Sequence, residues 1–336
     1  MGNFIETHPR QTQKTIDQLL ESMPPPELHV PNARILNFVT AEASTDEDLA
    51  VYNITAPFLY GDEHYIAGRT ERRQGEARSQ IRFYKRDQED GTWIQDVSMP
   101  VLGLEDPFVT RLNDKWVVGG VKLRKDESGE PSYETHMYVV DDLKAIDPDT
   151  EPTIVGPIGM KDIRLLQLES GKILVATRPQ GDKGGKGKMG VITVDDISEI
   201  NAEMLQDAPI IEGLFADEHN EWGGANELYE LDDGTIGVLG HIARFDENKN
   251  REYYAMTWRL DPQNITVWDE KIVASSDFWP GHRYKSPDLE KVHFPGGMII
   301  KGELAWLYGG VGDASPGEAQ ELSNPFWPSV PTRTAI

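Results

Sequence analysis

Cysteine is absent from the 336 residues, so disulfides and thiolate metal sites are excluded and any metal would rest on His and carboxylate ligands. Long apolar runs are missing as well. Nothing approaches the roughly 18 consecutive apolar residues of a membrane span, and the opening MGNFIETHPRQTQK lacks an apolar stretch of the secretory kind. A cytoplasmic location is expected. Positive charge is scarce: 33 Lys and Arg stand against 57 Asp and Glu, for a net charge of −24 and a pI near 4.7. That balance repels nucleic-acid backbones and anionic membrane surfaces, so neither is expected as a partner. Apolar residues make up 38% and charged ones 27%, proportions that suit a surface-rich all-β protein of short strands.

What the chain does contain is a recurring hairpin. Residues 160–168 (MKDIRLLQL) and 172–178 (KILVATR) are apolar or β-branched runs on either side of Glu169, Ser170 and Gly171, a turn whose Gly accepts positive φ. Residues 53–69, 105–121, 227–243 and 286–310 repeat the plan: polar anchor, short strand, turn, apolar strand, then Gly or a cation. The turns fall near Gly61, Asn113, Gly171, Gly234 and Gly302, 52 to 68 residues apart. Five hairpins at that period predict radial repetition: an all-β, five-bladed β-propeller with about four strands per blade. The anchors Asn53, Asp106, Asp162, Glu227 and Asp288 then become equivalent positions at the tops of the innermost strands, converging on one pocket. Strand alternation places Asp162 and Arg164 on one face and Lys161 on the other, or at the irregular start of the strand.

Around this unit, Ile16, Leu19, Leu20 and Met23 at helical spacing predict a short N-terminal helix that stops at Pro24–Pro26. Residues 29–40 read as strands that complete the last blade or begin the first, closing the ring and removing its exposed edges. The division is residues 1–27 as helical appendage, 28–317 as propeller, and 318–336 as a Pro-rich tail. Residues 181–190 (GDKGGKGKMG) are a glycine-lysine loop over the pocket, without the Lys-Ser/Thr ending of a P-loop.

A ring of carboxylates at an axis is equipment for glycoside chemistry, which needs an acid for the leaving oxygen and, in hydrolysis, a base or nucleophile across the ring. Asp106, Asp162, Glu227 and Asp288 supply it. Phosphorolysis needs the acid alone, because phosphate attacks, but the site must then hold a dianion. Arg69, Lys161, Arg164, Arg178 and His241 are the candidate cations, in a chain where cations are few. The same residue types also do structural work: Asp at a strand end satisfies turn N–H groups, Arg164 neutralises Asp162, and His241 fits a core position. Trp222, with Phe278, Trp279 and Tyr284, precedes the blade-four and blade-five anchors, where sugar rings stack or blades pack. The pair Gly223 and Gly224 lets backbone approach a ligand closely.

The runs NITAPF, AGRTERR, LEDPF, GPIGMKDIRL, TRPQG, EWGGANE, IGVLGHIA and KSPDL resemble the family of domain of unknown function 1861 across roughly residues 50–312. More distantly the layout is similar to glycoside-hydrolase family 130, five-bladed propellers that are inverting β-mannoside phosphorylases, with some hydrolases. That resemblance implies an inverting glycoside phosphorylase or hydrolase acting on a mannoside. Glu105, Asp106 and Pro107 resemble the Glu-Asp-Pro region that holds that family's catalytic Asp, which implies Asp106 as general acid and Asp162 and Glu227 as base or sugar binders. Asn53 and Asp288 correspond to its sugar-binding positions, and Glu105, Trp222 and Asn226 join them as candidate substrate contacts. One departure is Phe108, where family 130 usually has Arg. No organic cofactor and no metal are implied; a small carbohydrate is the expected partner, with inorganic phosphate as potential co-substrate. The alternative is a propeller that binds a sugar or sugar phosphate without catalysis, or a protein-interaction platform.

Overall fold

The hairpin formed by Arg164–Gln167 and Ile173–Thr177 illustrates how each sheet is assembled. Every residue of ILVAT is buried, as β-branched and apolar side chains require when a strand is covered on both faces. Gly171 makes the turn at φ 87°, and Gly61, Asn113, Gly234 and Gly302 take positive φ at the four matching turns. All five expected hairpins form. The computed structural model describes residues 13–23, 32–41, 49–73, 79–126, 128–215, 217 and 219–333.

Five antiparallel sheets stand around one axis. Blade one runs outward from Leu49–Tyr52 and Phe58–Tyr60 through Glu63–Arg72 and Gln80–Arg86 to Trp93–Gln95. Blade two is Glu105–Leu112, Lys115–Lys125, Pro131–Val140 and Ile154–Val155. Blade three has three strands, the third being Gly190–Val194. Blade four comprises Trp222–Glu230, Ile236–Phe245, Arg251–Asp261 and Thr266–Ala274. In blade five, His293–Lys301, Leu304–Val311 and Ser315–Ser323 are completed by Asn32–Ile35 from the other end of the chain. The segment expected to complete the last blade or begin the first does both, because Phe38–Val39 pairs in parallel with Trp93–Gln95 of blade one. Ring closure is therefore shared by two adjacent sheets.

The core lies between neighbouring sheets rather than at the axis. Phe108, Val117 and Met137 of blade two pack on Ile163, Leu165 and Val175 of blade three. Trp258 and Met256 of blade four meet Leu174 and Ala176 of blade three on one side, while Leu239 and Ala255 meet Met298 and Leu307 of blade five on the other. The helix Ile16–Ser22, closed by a capping box of Thr15 and Gln18, buries Ile16 and Leu19 in the cluster that joins blades three and four. Its expected stop at Pro24–Pro26 lies outside the described residues.

The tail boundary at residue 318 needs correction. Ser315–Ser323 is a full strand of blade five, and the polar run GEAQEL conceals it because buried Glu318 is neutralised from two sides, by the Tyr308 hydroxyl (2.8 Å) and Arg34. Further on, Pro331 bridges to Leu231 of blade four. A methyl group at Gly240 would meet Gly224 O at 2.3 Å and the Trp258 ring at 2.4 Å. Gly240→Ala is expected to destabilise by about 1–3 kcal/mol through this overpacking, read as a lower urea midpoint with unchanged m-value.

Candidate active site

The inner strands break at a common level. Asn53, Asp106 and Asp162 all adopt left-handed φ, 45°, 49° and 62°, and the blade-two ladder slips between Glu105 and Phe108. In blade four the register skips Asn226 between Ala225 and Glu227, and in blade five it skips Gly296 between Pro295 and Gly297. A bulge of this kind re-aims a side chain out of the alternating pattern. The polar residues at the first four breaks thereby meet at the top of the axis in two hydrogen-bonded groups, with Lys161 acting on a carboxylate of each.

Asn53 Nδ2 donates to Asp106 Oδ1 at 2.8 Å. Arg69, from the second strand of blade one, binds Asp106 Oδ1 at 3.2 Å, Glu105 Oε1 at 2.8 Å and Glu71 Oε2 at 3.3 Å. In blade three, Arg178 donates to Asp162 Oδ2 at 2.7 Å and to the Lys186 carbonyl at 2.7 Å. His241 of blade four brings Nε2 to 4.0 Å from the same Asp162 oxygen, while its Nδ1 lies 2.8 Å from Asn226 Oδ1. Lys161 differs from these. It is partly exposed and acts on both Asp162 and Asp106, yet among the described residues it makes no hydrogen bond or direct ion pair. Asp106 (13% exposed) and Glu105 (16%) retain contact with solvent, whereas Asp162 (3%) is enclosed.

The charges set one another. Burial pushes Asp162 up, but Lys161, His241 and Arg178 outweigh it and hold its pKa down at about 2. For Asp106 burial is likewise outweighed, by Arg69 and then Lys161, and the group stays below the usual carboxylate range. Glu105 is pushed up by burial, against Arg69. Burial drives His241 down to about 3, with Asp162 opposing, so the imidazole is neutral at physiological pH. A neutral ring that donates from Nδ1 to Asn226 Oδ1 presents a lone pair at Nε2.

Residues 30–327 match the family described as protein of unknown function DUF1861. The chain belongs to that family. Among solved structures, MPT-4, a mannose phosphorylase from Leishmania mexicana in complex with phosphate ion, shares 30% identity over 93% of this chain and 92% of its own, with a TM-score of 0.77. MPT-1, a GDP-Man-dependent mannosyltransferase from the same organism, shares 26% over 96% and 98%, with a TM-score of 0.81. A β-1,2-mannobiose phosphorylase from Listeria innocua has the same fold at 15% identity, covering 82% of this chain and 92% of its own (TM-score 0.57). No curated protein sequence matches the chain.

Not every candidate of the DUF1861 chain belongs to the axial network. Asp288 sits in the 3-10 turn Pro287–Leu289, bound to Ser286 Oγ and Arg251, and half exposed; blade five places Gly296 at the break instead. Glu227 lies one residue past the break and is turned down the axis. Its Oε2 accepts from the Tyr229 hydroxyl and from Met298 N (2.6 Å). Arg164 is on that lower level too, donating to the Asn226 and Ile163 carbonyls with its guanidinium 4.7 Å from the Phe108 ring centroid. The two line a cavity of about 130 Å³ together with Phe108, Asn226 and Tyr229. The break therefore separates Asp162 and Lys161 above from Arg164 below, where simple alternation would pair Asp162 with Arg164. Trp222 stands at the pocket rim, its Nε1 donating to the Tyr253 hydroxyl at 3.1 Å. Phe278 and Trp279 are core residues. The glycine-lysine loop offers the axis a carbonyl rather than lysines, since Lys183 and Lys188 reach Asp207 and Glu212.

One residue escaped the sequence reading. Asp313, in the turn before Ser315–Ser323, is pushed up by burial and by Asp106, against Arg69, Lys285 and Lys161, which places it beside the same cluster. Its signal was the run GGVGD at the end of an apolar strand: a glycine-rich turn at the pocket end of a blade, with φ 49° at the Asp itself. For Glu227, burial raises the pKa from 4.5 to about 7. A folded value above the unfolded one means stability is lost as pH rises from 4.5 through 7. Glu227→Gln removes that loss, so relative to the parent it should gain up to about 3 kcal/mol between pH 4 and pH 8 in urea melts. A pH-independent difference would deny the buried ionisation.

Proposed function

We propose that the protein is an inverting mannoside phosphorylase whose pocket is the axial network of Asn53, Arg69, Asp106, Lys161, Asp162, Arg178 and His241. The observation that carries this reading is Lys161, a partly exposed residue whose ammonium acts on both Asp106 and Asp162 and, among the described residues, makes no hydrogen bond or direct ion pair. With Arg178 it forms the cationic side of a pocket, to which neutral His241 adds a lone pair and whose other side is the solvent-accessible carboxylate of Asp106. That a mannose phosphorylase 30% identical to this chain forms a complex with phosphate ion supports phosphate as the co-substrate.

In this mechanism a phosphate oxygen attacks the anomeric carbon of the mannosyl unit from the face opposite the leaving oxygen. The bond to that oxygen breaks, its electron pair stays with the leaving group, and Asp106 supplies the proton. Hydrogen phosphate returns a proton to Asp106, so the sum is glycoside plus phosphate to glycosyl phosphate plus alcohol. Ionised Asp106 is unsuited to donate in the empty pocket. Phosphate works against this: a dianion beside Lys161 offsets one of the two cations, Arg69 and Lys161, that hold Asp106 down, and so raises its pKa. Glu105 and Asp313, both raised by burial, are the sugar-side carboxyls that accept or donate to hydroxyls. A second reading, transfer of mannose from a nucleotide sugar, draws on the 26%-identical GDP-Man-dependent mannosyltransferase, which superposes at a TM-score of 0.81.

Incubation with β-manno-oligosaccharides and inorganic phosphate, followed by ³¹P NMR, should yield mannose 1-phosphate, with none formed in Asp106→Asn or Lys161→Ala. Asp106→Asn should cost at least about 100-fold in turnover while stability changes by no more than about 1 kcal/mol. Release of free mannose without phosphate would establish hydrolysis instead, and release of GDP from GDP-mannose would establish transfer.

A further inference from the structure

The segment Arg283, Tyr284 and Lys285, between the outermost strand of blade four and the inner strand of blade five, has a fixed backbone and exposed side chains. Arg283 N donates to Ser315 Oγ at 3.2 Å, Ser315 Oγ donates back to Arg283 O at 3.3 Å, and Lys285 N donates to Gly312 O at 2.8 Å. A methyl group on Gly312 would lie 2.6 Å from Arg283 O, so the two backbones are in full contact. The tripeptide is thus clamped to the turn that carries Asp313. Arg283 and Tyr284 face outward, Arg283 exposed and Tyr284 keeping 45% of its accessible surface, while Lys285, 41% exposed, turns its ammonium to Glu71. Folding alone does not call for an exposed aromatic between two cations on a backbone held this firmly.

A cleft of about 430 Å³ opens between this segment and blade one, lined by Glu71, Arg73, Arg283, Tyr284, Lys285 and Asp313. It adjoins the axial pocket through two of its walls: Glu71 accepts from Arg69, and Asp313 acts on Asp106. Among its described lining residues, Arg73, Arg283 and Lys285 face Glu71, which already lies between Arg69 and Lys285, and Asp313, whose pKa burial raises. In a chain with a net charge of −24, a cationic cleft beside the reacting centre favours an anionic ligand.

We infer that this cleft is the subsite for the molecule on the leaving-group side of the anomeric bond, and that this molecule carries a phosphoryl group. Arg283 binds the phosphoryl oxygens and Tyr284 offers its ring to the attached sugar or base. The inference rests on the axial pocket being a site of glycosyl transfer. Two sources share the chemistry, a hexose phosphate and a nucleoside diphosphate.

The test is isothermal titration in saturating inorganic phosphate, which occupies the axial cations, with D-mannose, D-mannose 6-phosphate and GDP as probes. Mannose 6-phosphate should bind at least about tenfold tighter than mannose, as expected for charge-assisted hydrogen bonds. That preference should fall to within about twofold in Arg283→Ala and shrink in Tyr284→Ala, with circular dichroism confirming the fold of each variant. Equal affinity for the two sugars, or a preference that survives Arg283→Ala, overturns the inference. Arg283-dependent binding of GDP tighter than that of mannose 6-phosphate assigns the nucleotide as the source; the reverse order assigns the hexose phosphate. Binding of inorganic phosphate alone, followed by ³¹P NMR in Lys161→Ala, is read separately. Unchanged phosphate binding there defeats the axial reading, whatever happens at Arg283.

Discussion

The break in each innermost strand is the constraint on which the pocket depends. In an unbroken strand the side chains alternate between the two faces of the sheet, and both faces here are packed against neighbouring blades. No polar side chain could then reach the axis without vacating the core. A left-handed residue or a skipped register at one level lets the strand turn a side chain inward and then resume its packing. For Asn53, Asp106 and Asp162 the conformation costs of order 1 kcal/mol each, because their Cβ atoms crowd the following carbonyl. Asn and Asp bear that cost better than other side chains, which explains the residue types as well as the positions. Neighbouring blades are shaped to fit: a methyl group at Gly310 would fall 1.8 Å from Asn53 Oδ1.

Once the breaks are in place, the electrostatics follow from proximity. Carboxylates from blades two and three meet at a narrow axis and would repel, so each is matched by a cation from the second strand of a blade, Arg69 for Asp106 and Arg178 for Asp162. Arg69 also binds Glu105 and Ser79, and Arg178 also binds the Lys186 carbonyl, which ties each arginine into its part of the pocket wall. His241 is kept neutral by burial and oriented by Asn226, so it adds a lone pair rather than a charge. Lys161 is the remainder, a cation beyond what the buried pairs require, and it is the group on which the proposed anion site rests.

Much of this was legible in the sequence, and the failures have physical causes. The hairpins were readable because a turn needing positive φ leaves Gly or Asn behind, at Gly61, Asn113, Gly171, Gly234 and Gly302. Asn53, Asp106 and Asp162 were readable because the same backbone demand selects Asn and Asp. In blade four two adjacent polar residues compete for the position, and a register skip leaves no mark in composition, so Glu227 was preferred to Asn226. Blade five uses Gly296 at the break, and a search for a polar anchor there settled on Asp288, which serves a surface turn instead. A tail boundary at residue 318 cuts the strand Ser315–Ser323 in two because Glu318 looks solvated until Arg34 and Tyr308 are seen on either side of it.

Phe108 shows how the same charge can be delivered from another part of the fold. In the resemblance to family 130 this position usually carries Arg, so an apolar ring here leaves the strand of Asp106 without a cation at that point. Instead Phe108 is buried, and Arg164 of the next blade lies on its ring, 4.7 Å from the centroid, within reach of the fields of Asp162, Asp106 and Glu227. Burial lowers the pKa of Arg164, but an arginine starts so far above neutrality that it keeps its proton. The aromatic face supplies part of the solvation that water would otherwise give, and two backbone carbonyls supply more. The cation at this level thus comes from a neighbouring blade and is held by one aromatic face and two carbonyls, so charges in this fold have to be counted around the ring rather than along one strand.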